Sequence, residues 1–218
     1  MSFPLYEQSL LESWRLLASA DPGARVVEDQ DAVTMSHSHP LLRNAILRSP
    51  AGLARIREVF GDRHHALWVR QPGAGLEAAG YERDEHTVPM VLDLDGWAGT
   101  PTVPVRSVAP IEVARHSGVE IAMPPAYGFA TGQWESWALT MMTGAVANIS
   151  FVTTRDEFQR RGLGRAVMTH LLLDAQQRGA RHAALQSSPA GVRLYHGLGF
   201  RDVGLWQEWV PAGGVPAG

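Results

Sequence analysis

The sequence predicts a mixed α/β protein of the α+β kind, with strands and helices sharing one chain. Three observations predict it. Short runs rich in Val, Ile, Thr and aromatic residues, such as HALWVR and TVPMVLDL, alternate with longer segments whose apolar residues recur at helical spacing. The 22 glycines and 14 prolines sit largely at the edges of those runs, where they read as turns. With 45% hydrophobic and 19% charged residues in 218, the chain has the material for an ordinary buried core.

Taken in order, residues 5–18 carry Leu10, Trp14 and Leu17 at helical spacing, and Asp21-Pro22-Gly23 ends that helix. ARVVEDQDAVTMSHS predicts two short strands around 28–31, residues 44–47 a third, and residues 51–60 a helix. HALWVR reads as a strand, GAGLEAAG as a short helix closed by Gly80, and TVPMVLDL as another strand. TPTVPVRSVAP, residues 100–110, is an extended connector or edge strand, because each X-Pro step disfavours helix in the residue before it. It divides the chain into an expected N-terminal α/β domain, 1–100, and a C-terminal domain, 101–218. Two ill-defined stretches follow, then a strand over 127–131. Residues 136–154 contain no charged side chain, nearly a membrane-spanning length. Seven polar residues and a central Gly144 instead make this a buried hairpin that turns at Thr143-Gly144. A helix beginning at QRRGLG and stopped by Gly179, strand AALQSS, short helix PAGVRLYHGL, a final strand pair or bent strand GFRDVGLWQEWV, and a loose tail PAGGVPAG complete the chain.

A net charge of -3 leaves no overall basic footprint for nucleic acid. The arginines around residues 155–165 suit a small anionic ligand better. The absence of cysteine excludes disulfides, thiolate metal sites and a cysteine nucleophile, and fits a reducing compartment. MSFPLYEQSL has no basic region followed by an apolar stretch, so no signal peptide is expected and the expected location is the cytoplasm. His37-Ser38-His39 would point two imidazoles to one strand face, with His64-His65 and His86 elsewhere. No further ligand has convincing spacing, so no metal is expected.

The chemistry concentrates in QRRGLGRAVMTHLLLDAQQRG, residues 159–179. The first amides of a helix lack internal acceptors and stand at the positive end of its dipole, so they suit phosphate. Gly162 and Gly164 admit a phosphate close to the backbone, and Arg160, Arg161 and Arg165 add donors. A P-loop needs a lysine and a hydroxyl residue that are absent here. A dinucleotide fingerprint needs a third glycine where Val167 stands. The pattern that fits is Gln/Arg-x-x-Gly-x-Gly/Ala, met by Gln159 to Gly164.

With strand NISFVTT before it, and AALQSS and LYHGLGF after it, this stretch resembles the GNAT superfamily of acyl-coenzyme A-dependent N-acetyltransferases over about residues 126–210. The resemblance implies a GNAT-like fold, acetyl-CoA as co-substrate and a primary amine, on a small molecule or peptide, as acceptor. It implies that Val152, Thr153 and Thr154 pair with pantetheine through their backbone. It also implies that Arg160, Arg161, Gly162, Leu163, Gly164 and Arg165 hold the pyrophosphate, and that Tyr195 is the general acid. Ser187 is a candidate contact for the coenzyme arm, with helix capping as its plainer use. Strand residues 147–150 offer no carboxylate, so Glu135 is carried as the candidate base, with Glu120, His116, His196 or a water relay as alternatives. Trp134 and Trp137 either line an acceptor pocket or simply pack. Without cysteine, direct transfer in a ternary complex is expected. The rival readings are an inactive acyl-CoA-binding sensor or structural protein and a transferase of longer acyl groups.

Three departures stand out. Arg160 occupies a position where close relatives commonly have glycine, and Arg155-Asp156 replaces a common apolar-proline pair. Between Val105 and Tyr127 there is little room for the two helices that shape the acceptor site in the family. WVRQPGAGLEAAGYERDEHTVPMVLDL resembles the degenerate N-terminal halves of two-part GNAT proteins. The acceptor pocket is therefore expected between the halves or completed by a partner subunit. A homodimer is compatible with this; nucleic-acid and membrane partners are not expected.

Overall fold

The computed structural model describes residues 2–70 and 75–213. They form one sheet of twelve strands. The strands are β1 Arg25–Glu28, β2 Ala32–Ser36, β3 Asn44–Leu47, β4 Ala66–Val69, β5 Tyr81–Asp93, β6 Val105–Val108, β7 Tyr127–Thr131, β8 Ser136–Thr143, β9 Val146–Thr154, β10 His182–Ser187, β11 Arg201–Asp202 and β12 Trp206–Pro211. The helices are α1 Phe3–Ala20, α2 Gly52–Phe60, α3 Pro110–His116, α4 Leu163–Gln177 and α5 Val192–His196. Across the sheet the order is β1-β2-β3-β4-β12-β5-β10-β9-β8-β7-β6, with β11 pairing on β5. Two pairs, β3·β4 and β9·β10, are parallel, and the rest are antiparallel.

Strand β5 links the two halves. Its first part, 81–87, pairs with β12, and its second part, 88–93, pairs with β10. A strand from before residue 100 is thus enclosed by two strands from beyond residue 180, while β12 pairs in turn with β4. The 100–110 connector leads from β5 to β6, which lies at the far edge of the sheet, as its prolines require.

Side-chain alternation along the strands divides the core. On one face, Val167, Met168, Leu171, Leu172 and Ala175 of α4 pack on Ala138, Ala147, Ile149, Ala183 and Leu185. On the other, Phe3, Tyr6, Leu11, Trp14 and Leu17 of α1 meet Leu139, Met141, Ala184 and Trp206. Helix α1 crosses β8, β9, β10 and β5. It approaches closely because Ser9 and Ser13 also face the sheet. The Ser9 hydroxyl meets Thr143 Oγ1 at 3.0 Å and Asn148 Nδ2 at 3.1 Å, so the buried polar atoms satisfy one another. Helix α2 closes a third cluster around Phe60, Leu67 and Trp209.

The differences from expectation have local causes. Residues 75–80 form turns rather than a helix, and residues 73 and 74 of that expected helix lie outside the described residues. Strand β5 begins at Tyr81, because β12 supplies a partner for its polar first half. Helix α3 occupies one of the ill-defined stretches. Its signals were Pro110 in the first turn and Glu112, whose carboxylate accepts from the Ala109 amide at 3.2 Å. Strands β11 and β12 pair with β5, not with each other. The tail beyond Gly213 lies outside the described residues.

Strand β12 carries a half-buried carboxyl group. Glu208 lies opposite Trp68 at a register shift against β5, and its pKa is pushed up to about 7, first by burial and then by the charges of Asp84 and Glu85. Between its ordinary 4.5 and about 7, the folded protein holds a proton that the unfolded chain has released. Stability therefore falls as pH rises through that interval. Glu208→Gln should abolish the fall, raising Tm by a few degrees at about pH 8 and by little near pH 4.5, in paired thermal melts.

Candidate functional site

The site begins where β9 and β10 part. Their parallel pairing joins 146–149 to 182–185 and stops there, although β9 continues to Thr154. The cause is a bulge in β9: Leu139 pairs with Ser150 but Trp137 pairs with Thr153, one extra residue on the β9 side. A bulge bends its strand. Within it Phe151 has φ +53°, a left-handed conformation that costs a bulky residue about 1–3 kcal/mol and that the surrounding sheet must enforce. Beyond the bulge, Thr153 and Thr154 pair with β8 on one side, and residues 152–154 have no strand partner toward β10.

The chain then passes through a short turn at Asp156–Phe158, held by Gln159 Nε2 on Asp156 Oδ1 at 2.7 Å. Arg160 at φ +63° and Gly162 at φ +79° are both left-handed. Among the described residues, the amides of Arg160 to Arg165 have no acceptor, and the first helical bond runs from the Ala166 amide to the Gly162 carbonyl. Six consecutive donors at the positive end of a 15-residue helix make an anion cradle. The first turn of α4 brings no acidic side chain to oppose it.

The two glycines differ in use. A Cβ on Gly162 would meet nothing within 4 Å, so it would project into open space before the helix. A Cβ on Gly164 would meet Thr154 Oγ1 at 3.1 Å and Leu194 Cδ2 at 3.5 Å. Gly164 thus lets α4 approach the end of β9 and α5. The arginines also differ. Arg161 donates to the Glu157 carbonyl at 2.9 Å and lies 5.2 Å over the Phe158 ring, which Arg155 also approaches at 5.5 Å. The Arg165 guanidinium rests against Gly197 at the end of α5, so only its backbone faces the turn. Arg160 is exposed, and Leu163 is half-buried.

Across the opening stand Ser187 and Tyr195. Gly191 lies between them: a Cβ there would be 2.9 Å from both Ser187 Oγ and Tyr195 Cε2. The Ser187 hydroxyl donates to the Ser188 carbonyl, and α5 starts from Gly191 without a side-chain cap, so the plainer capping role is not what Ser187 does. The Tyr195 ring is buried, edge-on to Phe200 at 5.8 Å, and burial pushes its pKa up to about 12. It is a protonated phenol at any physiological pH.

Glu135 is placed differently. Its carboxylate accepts from the Thr131 hydroxyl at 2.7 Å and the Gln133 amide at 2.9 Å, closing the β7–β8 turn. The Thr131 hydrogen bond, reinforced by backbone amides, holds its pKa below the ordinary value. The Trp134 ring stacks on His116 at 3.8 Å and meets Trp137 edge-on at 6.2 Å. Sequence reasoning missed the Phe151 bulge, because an aromatic residue is the opposite of what a left-handed position favours. It also missed that α1 packs across β9 and β10.

Residues 139–209 match the family model described as an acetyltransferase (GNAT) domain. Over those residues the chain is similar to GNAT acetyltransferase domains. The [ribosomal protein bS18]-alanine N-acetyltransferase of Escherichia coli K12 is 29% identical over 83 residues, covering 37% of this chain. The matched part spans just over half, 56%, of that relative's own length. Among solved structures, a GCN5-related N-acetyltransferase from Kribbella flavida superposes with a TM-score of 0.74 at 18% identity, over 100% of this chain and 98% of its own. A tandem GNAT protein from the clavulanic acid biosynthesis pathway superposes at 0.53 with 14% identity over 94% of each chain. These two show the likeness of fold. The GNAT segment takes in β9, the six-amide turn, β10 and Tyr195, so the matched residues coincide with the opening. Among the described residues there is no group of three or more His, Asp or Glu able to hold a metal ion, and no helix long and apolar enough to cross a membrane.

Proposed function

We propose that this chain moves the acetyl group of acetyl-CoA to an amine by direct transfer while both substrates are bound. The observation that carries the reading is an unpaired strand edge, 152–154, leading into six unpartnered amides at the start of α4. An extended amide-bearing arm ending in a diphosphate fits that sequence of donors and acceptors. Val152, Thr153 and Thr154 pair with the arm through their backbone. The amides of Arg160, Arg161, Gly162, Leu163, Gly164 and Arg165 hold the diphosphate, with the Arg160 side chain adding charge. Ser187 flanks the arm beside Tyr195.

In the transfer, the amine nitrogen forms a bond to the thioester carbonyl carbon, the carbon–sulfur bond breaks, and its electron pair stays on sulfur. Tyr195 gives its proton to that sulfur, the nitrogen's proton passes to water, and a proton returned from water restores the phenol. The backbone amide in the strained Phe151–Val152 bulge is the polarising donor for the carbonyl oxygen. Glu135 is assigned to its turn, since a carboxylate with a lowered pKa and two donors is a weak base. The division at residue 100 is a division of labour: the C-terminal part holds the thioester and the N-terminal part shapes the amine side. The amine belongs to a small molecule or a peptide, and the reaction takes place in the cytoplasm.

Titration calorimetry with acetyl-CoA, followed by thiol release across a panel of amines, tests this. Saturable binding and thiol release with at least one amine are expected. Tight binding with no release from any amine would turn the assignment to a sensor, and no binding at millimolar acetyl-CoA would end it.

A further inference from the structure

The opening between β9 and β10 also has a face toward α1, and its polar groups have no part in the reading above. Continuing the parallel register one step past Ile149 and Leu185 brings Ser150 and Gln186 to opposite walls, both on the α1 side of the sheet. The Ser150 hydroxyl is buried there with no hydrogen-bond partner. Gln186, half-buried, is held at both ends of its amide: the Tyr6 hydroxyl of α1 donates to its Oε1 at 2.5 Å, and its Nε2 donates to Thr87 Oγ1 of β5 at 2.7 Å. The direction of the chain follows from Trp206. Its indole N–H lies beside the Tyr6 oxygen with no acceptor in hydrogen-bond geometry, and an indole only donates. Facing a donor, the Tyr6 oxygen keeps its own proton for Gln186. Tyr6 is sealed in the core and desolvated, so its phenol stays protonated.

A glutamine locked in this way retains one lone pair on Oε1 and one N–H on Nε2. Both remain for a ligand at the point where the strands part, opposite an unpartnered hydroxyl. Building on the transferase reading, we propose that Gln186 orients the incoming amine by accepting one of its N–H bonds. Tyr6 is the positioning residue that fixes the amide, and Ser150 is the opposite wall. The N-terminal helix thereby supplies what the short 105–126 segment lacks: α1 is the amine-side cover of the site. The class of ligand is a nitrogen nucleophile that arrives uncharged and bears at least one N–H to donate.

The test uses the full chain, acetyl-CoA and hydroxylamine, a small uncharged nitrogen nucleophile, with thiol release measured above the uncatalysed rate. Gln186→Leu should raise the KM for hydroxylamine about tenfold with the Kd for acetyl-CoA unchanged. Tyr6→Phe should raise it several-fold, and the double variant should be no worse than Gln186→Leu alone, because Tyr6 acts through Gln186. Ser150→Ala, a small change at a half-buried site, should raise the same KM and leave Tm nearly unchanged. Unaltered KM in Gln186→Leu and Ser150→Ala, or additive effects of Tyr6→Phe and Gln186→Leu, would overturn the proposal while leaving the transferase reading intact. No thiol release from the wild type would overturn both.

Discussion

Tyr195→Phe is expected to lower kcat by about 100-fold, the lower end of what a positioned general acid contributes, with the Kd for acetyl-CoA nearly unchanged. The hydroxyl is the only group removed. The ring still packs on Phe200 and beside Gly191, so the fold loses little. A thiolate leaving without a proton must carry its charge into a half-buried opening, which is where the barrier rises. Burial gives the test a second readout. Because the Tyr195 pKa stands at about 12, the wild-type rate should show no loss from phenol ionisation across the neutral and mildly alkaline range. In the variant, the rate should improve with thioesters whose thiol is a better leaving group, since these need the proton least. A variant with the wild-type kcat at every pH would remove Tyr195 from the chemistry.

The second large effect concerns the turn. Gly162→Val should raise the Kd for acetyl-CoA by well over tenfold. Two costs add. At φ +79° a β-branched residue is strained by about 1–2 kcal/mol, a penalty that a flexible turn escapes by moving its amides out of line. The new side chain also projects into open space at the mouth of six unpartnered amides, where the diphosphate is proposed to lie. Gly164→Ala should behave differently. Its methyl presses on Thr154 Oγ1 at 3.1 Å and Leu194 Cδ2 at 3.5 Å, so the loss falls on the packing of α4 and is read in Tm more than in Kd. Calorimetry and thermal melts on both variants separate the cases. Equal acetyl-CoA affinity in wild type and Gly162→Val would remove the turn from the binding site.

Much of this protein was written locally. Leu10, Trp14 and Leu17 with the stop at Asp21-Pro22-Gly23 announced α1, the uncharged run around Gly144 announced the β8–β9 hairpin, and Gln159 to Gly164 announced the cradle. These features are legible because turn chemistry, helical periodicity and the left-handed tolerance of glycine act between residues close in sequence. What only the tertiary structure decided lies in pairings between distant residues. Nothing near Phe151 marks it for a left-handed bulge; the register of β8 against β9 imposes that conformation and so parts β9 from β10. Tyr6 and Gln186 are 180 positions apart, and Thr87 joins them only because β5 lies between β10 and β12. Local propensity specifies an element and its ends, whereas strand neighbours depend on which distant partners bury the most surface together. That is why the anion cradle could be read from one short stretch, whereas the polar groups facing α1 needed the whole sheet.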